Sequence, residues 1–160
     1  MPCLLGFHTT FNAKNKEGDA YLLKAEVGEC YERNECYLPT GNFIEDDALT
    51  YDLQNGYFVV CGKKISRHYR ANGQGKMILK DPRHRFAIVY ENDAKYAYRL
   101  IFNGAADTFI CLEPQNCLVD AINAALPKSD RGFDVIGAGE CRYYQSKIYI
   151  LTEKEEEIEK

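Results

Sequence analysis

Thr108-Phe109-Ile110-Cys111-Leu112-Glu113-Pro114-Gln115-Asn116 decides how this chain reads. Its first five residues form a short, almost wholly apolar run with no polar face. Such a strand is covered on both sides and belongs in the interior of a sheet. Pro114 lacks an amide hydrogen and is expected to end the ladder directly after Glu113. That would hold the Glu113 carboxylate at the rim of a central strand. Outward from this stretch, period-two alternation recurs. Phe86, Ile88 and Tyr90 share a face of 85–90, and Tyr96, Tyr98, Leu100 and Phe102 share a face of 95–102, opposite Lys95 and Arg99. Glu91-Asn92-Asp93-Ala94 between them is turn chemistry, which predicts a hairpin. Asn72-Gly73 predicts a second hairpin turn, and 142–151 a further alternating strand. One helix is predicted, over 116–126, with Leu118, Val119, Ile122 and Leu126 as its stripe. The class that results is all-β: an antiparallel β-sandwich.

The 160 residues suit one domain with a sizeable core. Apolar and aromatic residues make up 46% of them, and 12 Tyr with 8 Phe favour strands. No apolar run is long enough to cross a bilayer, and the first residues lack the basic and apolar regions of a secretory signal. No membrane is expected, and the location expected is cytoplasmic. Seven cysteines is an odd number for a disulfide framework. Cys30 and Cys36, like Cys111 and Cys117, are spaced too widely for a structural zinc knuckle. Reduced thiols, no metal and no cofactor are expected. Residues 152–160 hold five Glu against two Lys and read as an acidic frayed tail beyond a domain spanning 1–151. Eight Lys and Arg between Lys63 and Arg85 face only Asp81. They read as solvated strand faces and turns, so no nucleic-acid partner is expected. Gly73-Gln74-Gly75-Lys76 fails as a phosphate loop, because Arg70 and Met77 occupy the places of the required Gly and Ser/Thr. His84, in a turn, is expected to face solvent.

Near the amino terminus, Leu4-Leu5-Gly6-Phe7-His8-Thr9-Thr10-Phe11-Asn12 also passes from an apolar run into polar residues, with His8 at the transition. A histidine and a carboxylate, each at the mouth of a strand, are the parts of a general acid and general base acting on one small substrate. The pair is expected to flank one small cavity. Cys3, Leu4, Leu5 and Phe7 read as the middle of a buried strand. Something is therefore expected to cover it, either a missing N-terminal half or a second copy in a homo-oligomer.

Gly6-Phe7-His8-Thr9-Thr10-Phe11-Asn12 and Cys111-Leu112-Glu113-Pro114-Gln115-Asn116, in this order, resemble the two signature regions of the aldose 1-epimerases, or galactose mutarotases. Val119-Asp120-Ala121-Ile122-Asn123 extends the second match, and 133–149 resemble the family's closing strands. The resemblance implies an incomplete galactose mutarotase-like sandwich, the C-terminal portion of the family's domain. It implies the interconversion of α and β anomers of a free hexose, with Glu113 as base at the anomeric hydroxyl and His8 as acid at the ring oxygen. No metal, nucleotide or covalent intermediate enters that chemistry. The family's N-terminal half supplies a further histidine and a substrate-binding arginine that have no counterpart here. An aspartate expected midway is absent from Ile65-Ser66-Arg67-His68-Tyr69-Arg70, where His68 either binds substrate or is merely exposed. A truncated half-enzyme of weak or no activity is one expectation. A noncatalytic carbohydrate-binding sandwich and a hexose-phosphate mutarotase-like protein are the alternatives.

Overall fold

A computed structural model describes residues 1–73, 75–104 and 107–152. In chain order the strands are β1 (Pro2–Cys3), β2 (Thr9–Asn12), β3 (Leu22–Ala25), β4 (Val27–Arg33) and β5 (Pro39–Ile44). Helix α1 (Ala48–Asn55) follows, then β6 (Phe58–Val59), β7 (Ser66–Ala71), β8 (Met77–Asp81), β9 (Phe86–Asn92) and β10 (Tyr98–Phe102). The last three are β11 (Phe109–Gln115), β12 (Asp134–Val135) and β13 (Ser146–Thr152). Six strands form one sheet in the order β2-β11-β10-β7-β4-β5, and five form another in the order β13-β9-β8-β3-β6. The β1–β12 pair stands apart. The two large sheets close over a common core that includes Ile101, Ile110, Leu112 and Tyr69 from the first and Leu23, Met77 and Leu79 from the second. This is the expected antiparallel sandwich.

Strand β11 is interior, paired to β2 on one side and β10 on the other. Side chains alternate across it. Ile110 and Leu112 enter the core, while Cys111 and Glu113 face outward from the sandwich. Pro114 does not end the ladder, which runs on to Gln115 opposite Tyr98. The carbonyl of Pro114 points toward the amino-terminal segment and accepts from Phe7 N at 3.1 Å. A residue's N–H and C=O lie on the same side of an antiparallel strand, so the missing donor falls there and the β10 ladder loses nothing.

Several expected connections differ. Strands β9 and β10 form no hairpin, because β9 lies in the five-stranded sheet and β10 in the six-stranded one. Asp93 turns this corner: its carboxylate accepts from Lys95 N and Gln145 N, each at 3.0 Å. Asn72-Gly73 likewise carries the chain between sheets, with Gly73 and Gly75 at positive φ. Residues 116–126 form turns instead of a helix, with Asp120 at φ 55°. Leu118 N donates to Arg131 O, so this segment spends its backbone bonds on a neighbouring loop. Tyr31, Tyr98 and Leu118 make a second apolar cluster there, supported by Leu126. The helix that does form, α1, has Asp47 accepting from Leu49 N as its N-cap and Gly56 at φ 75° beyond its end.

The amino-terminal run is not a buried strand, since Leu4 and Phe7 are more than two-fifths exposed. Asn116 holds it in place. Its side chain accepts from Leu5 N at 2.7 Å and donates to Cys3 O at 2.8 Å and to the Tyr144 hydroxyl at 2.9 Å. Its own N–H donates to Leu5 O. The closing strand begins at Ser146, later than expected, and takes in Thr152, while 153–160 of the acidic tail lie outside the described residues. In β13, Ile148 and Ile150 sit in register with core-facing Tyr90 and Ile88, yet both are more than half exposed.

Replacing Asn116 by Ala is expected to lower unfolding free energy by about 2–3 kcal/mol, because three partners lose their bonds at a part-buried position. Urea unfolding measures the loss, and hydrogen exchange at the Leu5 amide should quicken in parallel.

Candidate functional site

Gly6 bridges Gln115 and Thr9 pairs with Leu112, so the register between them sets His8 directly across from Glu113. Opposed residues on paired strands share a face and stand within side-chain reach. His8 Nε2 lies 3.3 Å from Glu113 Oε1. The two expected site residues are therefore brought together, but they touch instead of flanking a cavity. They are unequal partners: the His8 side chain is 65% exposed and that of Glu113 only 7%. The contact is a close approach and not a formed hydrogen bond, and Oε1 has no hydrogen-bond partner among the described residues. Glu113 Oε2 accepts a long bond from Gln115 Nε2 at 3.4 Å.

Burial raises the Glu113 carboxyl above the ordinary range, and nearby His8, Gln115 and Arg33 only partly offset this. Arg33 is a residue that sequence reading missed. It stands at the end of β4, on the outer face, and its guanidinium donates to Ser66 Oγ at 2.7 Å on β7. Between Ser66 and the His8–Glu113 pair lie Phe102 and Leu100 of β10, both partly exposed. Two inter-strand spacings, about 10 Å, separate β7 from β11. A histidine–carboxylate pair thus stands at one side of an apolar strip and a guanidinium at the other. No local sequence pattern flags Arg33; only strand order brings it near Glu113.

His68 is neither exposed nor in contact with solvent. It follows Glu113 and Leu100 across the sheet, in register with Leu100 and Tyr31, and its relative exposure is 0%. Tyr31 and Tyr98 flank its ring at about 6 Å. Burial, reinforced by Arg33, lowers its pKa to about 3, so the ring stays neutral. Neither ring nitrogen finds a hydrogen-bond partner among the described residues. His84 is exposed, as its turn position suggested, with Nδ1 at 3.0 Å from Asp81 and Nε2 at 3.5 Å from Glu17. Burial would raise Asp81, but hydrogen bonds from His84, Arg83 N and Asn15 hold it down to about 2.

The basic run does not form one patch. Arg67 approaches Asp47 and Lys76 approaches Glu91, each at 3.7 Å, Arg83 pairs with Asp19 at 2.7 Å, and Arg70 covers the rings of Tyr31 and Phe43. Clefts of about 380 Å³ beside α1 and about 440 Å³ beside His84 lie away from the pair. A smaller one of about 290 Å³ includes Gly6, Gln115 and Leu118 and so adjoins it. Among the described residues no helix is long and apolar enough to cross a membrane.

No family model matches the sequence. Comparison with solved structures places 95% of the chain on a galactose mutarotase-like protein from Clostridium acetobutylicum, with a TM-score of 0.82 and 26% identity. The fold is galactose mutarotase-like. An aldose 1-epimerase-like protein from Escherichia coli K12 matches the same share of the chain with a TM-score of 0.73 and 18% identity, which speaks to the fold alone. The match covers 48% of the first structure and 51% of the second, so this chain spans about half the length of the mutarotase-like proteins it resembles.

Two outcomes test the site's electrostatics. A carboxyl raised in the folded state binds its proton more tightly there, so its ionisation removes stability as pH rises through the folded value. Glu113→Gln should therefore be the more stable form near neutral pH, with the gap closing below about pH 4. Denaturant unfolding at both pH values checks this, and a variant weaker at neutral pH contradicts it. His68→Met should raise stability by about 1 kcal/mol in the same assay, because it removes buried nitrogens that lack partners.

Proposed function

We propose that this chain carries the acid–base pair of an aldose 1-epimerase acting on a free hexose. The observation behind this reading is the 3.3 Å approach of His8 to Glu113 on one face of paired strands. Anomer exchange asks for two proton transfers at oxygens bonded to a single carbon. An acid and a base therefore have to reach neighbouring points, and a cavity between them is not needed. Glu113, with its carboxyl raised by burial, is a stronger base than an exposed carboxylate. It takes the proton of the anomeric hydroxyl while His8 protonates the ring oxygen; after rotation about C1–C2 the roles reverse. Leu100 and Phe102 offer an apolar seat for the sugar face, and Arg33 a donor for its hydroxyls. His68 is fully buried between Tyr31 and Tyr98, so we assign it to their support and not to substrate.

Residues 1–151 correspond in this reading to the C-terminal portion of a longer mutarotase domain, and the protein works in the cytoplasm. Weak exchange is expected from the half by itself. The exposed Ile148 and Ile150 mark where the other half, or a second copy, would cover the sandwich. The half-length match also favours a second reading, a carbohydrate-binding sandwich without catalysis. The dispersed basic run gives no support to a phosphorylated sugar as the preferred ligand.

Exchange NMR on the anomers of galactose and glucose with the 160-residue chain separates these readings. The first expects slow exchange above background that falls by about 10²–10⁴-fold in Glu113→Gln, down to the assay floor, with sugar binding retained. Binding without acceleration supports the second reading, and the absence of any hexose binding removes both.

A further inference from the structure

We propose that His8, Cys111 and Glu113 form a three-donor site for a thiophilic divalent cation of the zinc type, which occupies the acid–base pair and blocks it. The blockade rests on the function proposed above; the site itself does not. Cys111 and Glu113 are two apart on β11 and project from the same face, and His8 reaches that face from across the β2 pairing. One imidazole nitrogen, one sulfur and one carboxylate oxygen all lie within 4.8 Å of one another. Zinc bond lengths of about 2.0–2.3 Å place tetrahedral donors roughly 3.5 Å apart. His8 and Glu113 already meet that spacing. Only the sulfur has to approach, or the exposed imidazole has to swing toward it.

The interior of the cluster is prepared for a cation. Glu113 is 95% buried, and its Oε1, aimed at His8, lacks a hydrogen bond among the described residues. Thr10 Oγ1 stands 3.4 Å from Cys111 Sγ, where its hydroxyl can donate to a thiolate and fix its direction. Nitrogen, sulfur and oxygen together suit zinc, cobalt(II) or cadmium better than magnesium or calcium, which take oxygen alone. Three protein donors leave a fourth position on the solvent side, beside His8. On binding, the thiol loses its proton to solvent as the metal–sulfur bond forms. The cation then holds the Glu113 lone pair and the His8 nitrogen, so neither can move a proton. Cysteine spacing gives no sign of this site, because its donors are a hundred residues apart and use a single thiol.

Cobalt(II) titration tests it, in a chain whose exposed Cys36 and Cys141 are replaced by Ser to remove competing thiols. One equivalent should produce a thiolate-to-cobalt charge-transfer band that zinc displaces. Cys111→Ser should abolish the band, and His8→Ala or Glu113→Gln should weaken binding at least tenfold. A band unchanged in Cys111→Ser, or no saturation near one equivalent, overturns the site and leaves the acid–base assignment intact. A site that fills while anomer exchange continues at its former rate overturns the blockade and the acid–base assignment with it.

Discussion

Everything at the candidate site depends on the pairing of the amino-terminal segment with β11. Two neighbouring features enforce it. The β2 ladder fixes the register at Thr9 and Leu112, and the Asn116 side chain clamps the backbone at Cys3 and Leu5. Between those anchors His8 has one available place, across from Glu113. The site is therefore a product of strand register. A slip of a single residue would turn His8 to the other face and separate the pair.

The same strand that presents Glu113 also anchors the core. Ile110 and Leu112 are fully buried beneath it, so the position of Glu113 is set by packing against the opposite sheet. That rigidity has an electrostatic consequence. A carboxyl held at 5% exposure cannot turn toward water, and burial raises its pKa more than the neighbouring His8, Gln115 and Arg33 lower it. His68 shows the opposite solution on the same face. With no partner for either nitrogen among the described residues, it is kept neutral by burial, packed between Tyr31 and Tyr98. One face of one sheet thus holds a histidine–carboxylate pair and a histidine kept neutral by burial, distinguished by what covers each.

Much of this was legible in the residues, for a physical reason. Period two survives in β9 and β10, and the apolar run of 109–112 declares an interior strand because burial on both faces leaves no room for polar side chains. The connections were less legible. A turn such as Glu91-Asn92-Asp93-Ala94 carries the same local chemistry whether it returns to its own sheet or crosses to the other; here the Asp93–Gln145 bonds decide, and they join residues fifty apart. Leu118, Val119, Ile122 and Leu126 have helical spacing, yet Leu118 and Leu126 pack with Tyr31 and Tyr98 from a turn-rich loop while Ile122 is left exposed. Helix α1 escaped notice because only Leu53 among its residues is fully buried, although Asp47 and Gly56 were available as start and stop signals. Arg33 and Asn116 acquire their roles from contacts across 33 and about 110 residues of sequence, which no local pattern encodes.

The central claim is that His8 and Glu113 work as one unit, and a double-mutant cycle on hexose anomer exchange addresses it most directly. Groups that act together lose their joint effect when either is removed. His8→Asn and Glu113→Gln should each abolish most of the acceleration, and the double variant should be little worse than the more damaging single one. Losses that multiply as independent factors, or a single variant that exchanges anomers at the unaltered rate, would contradict the account.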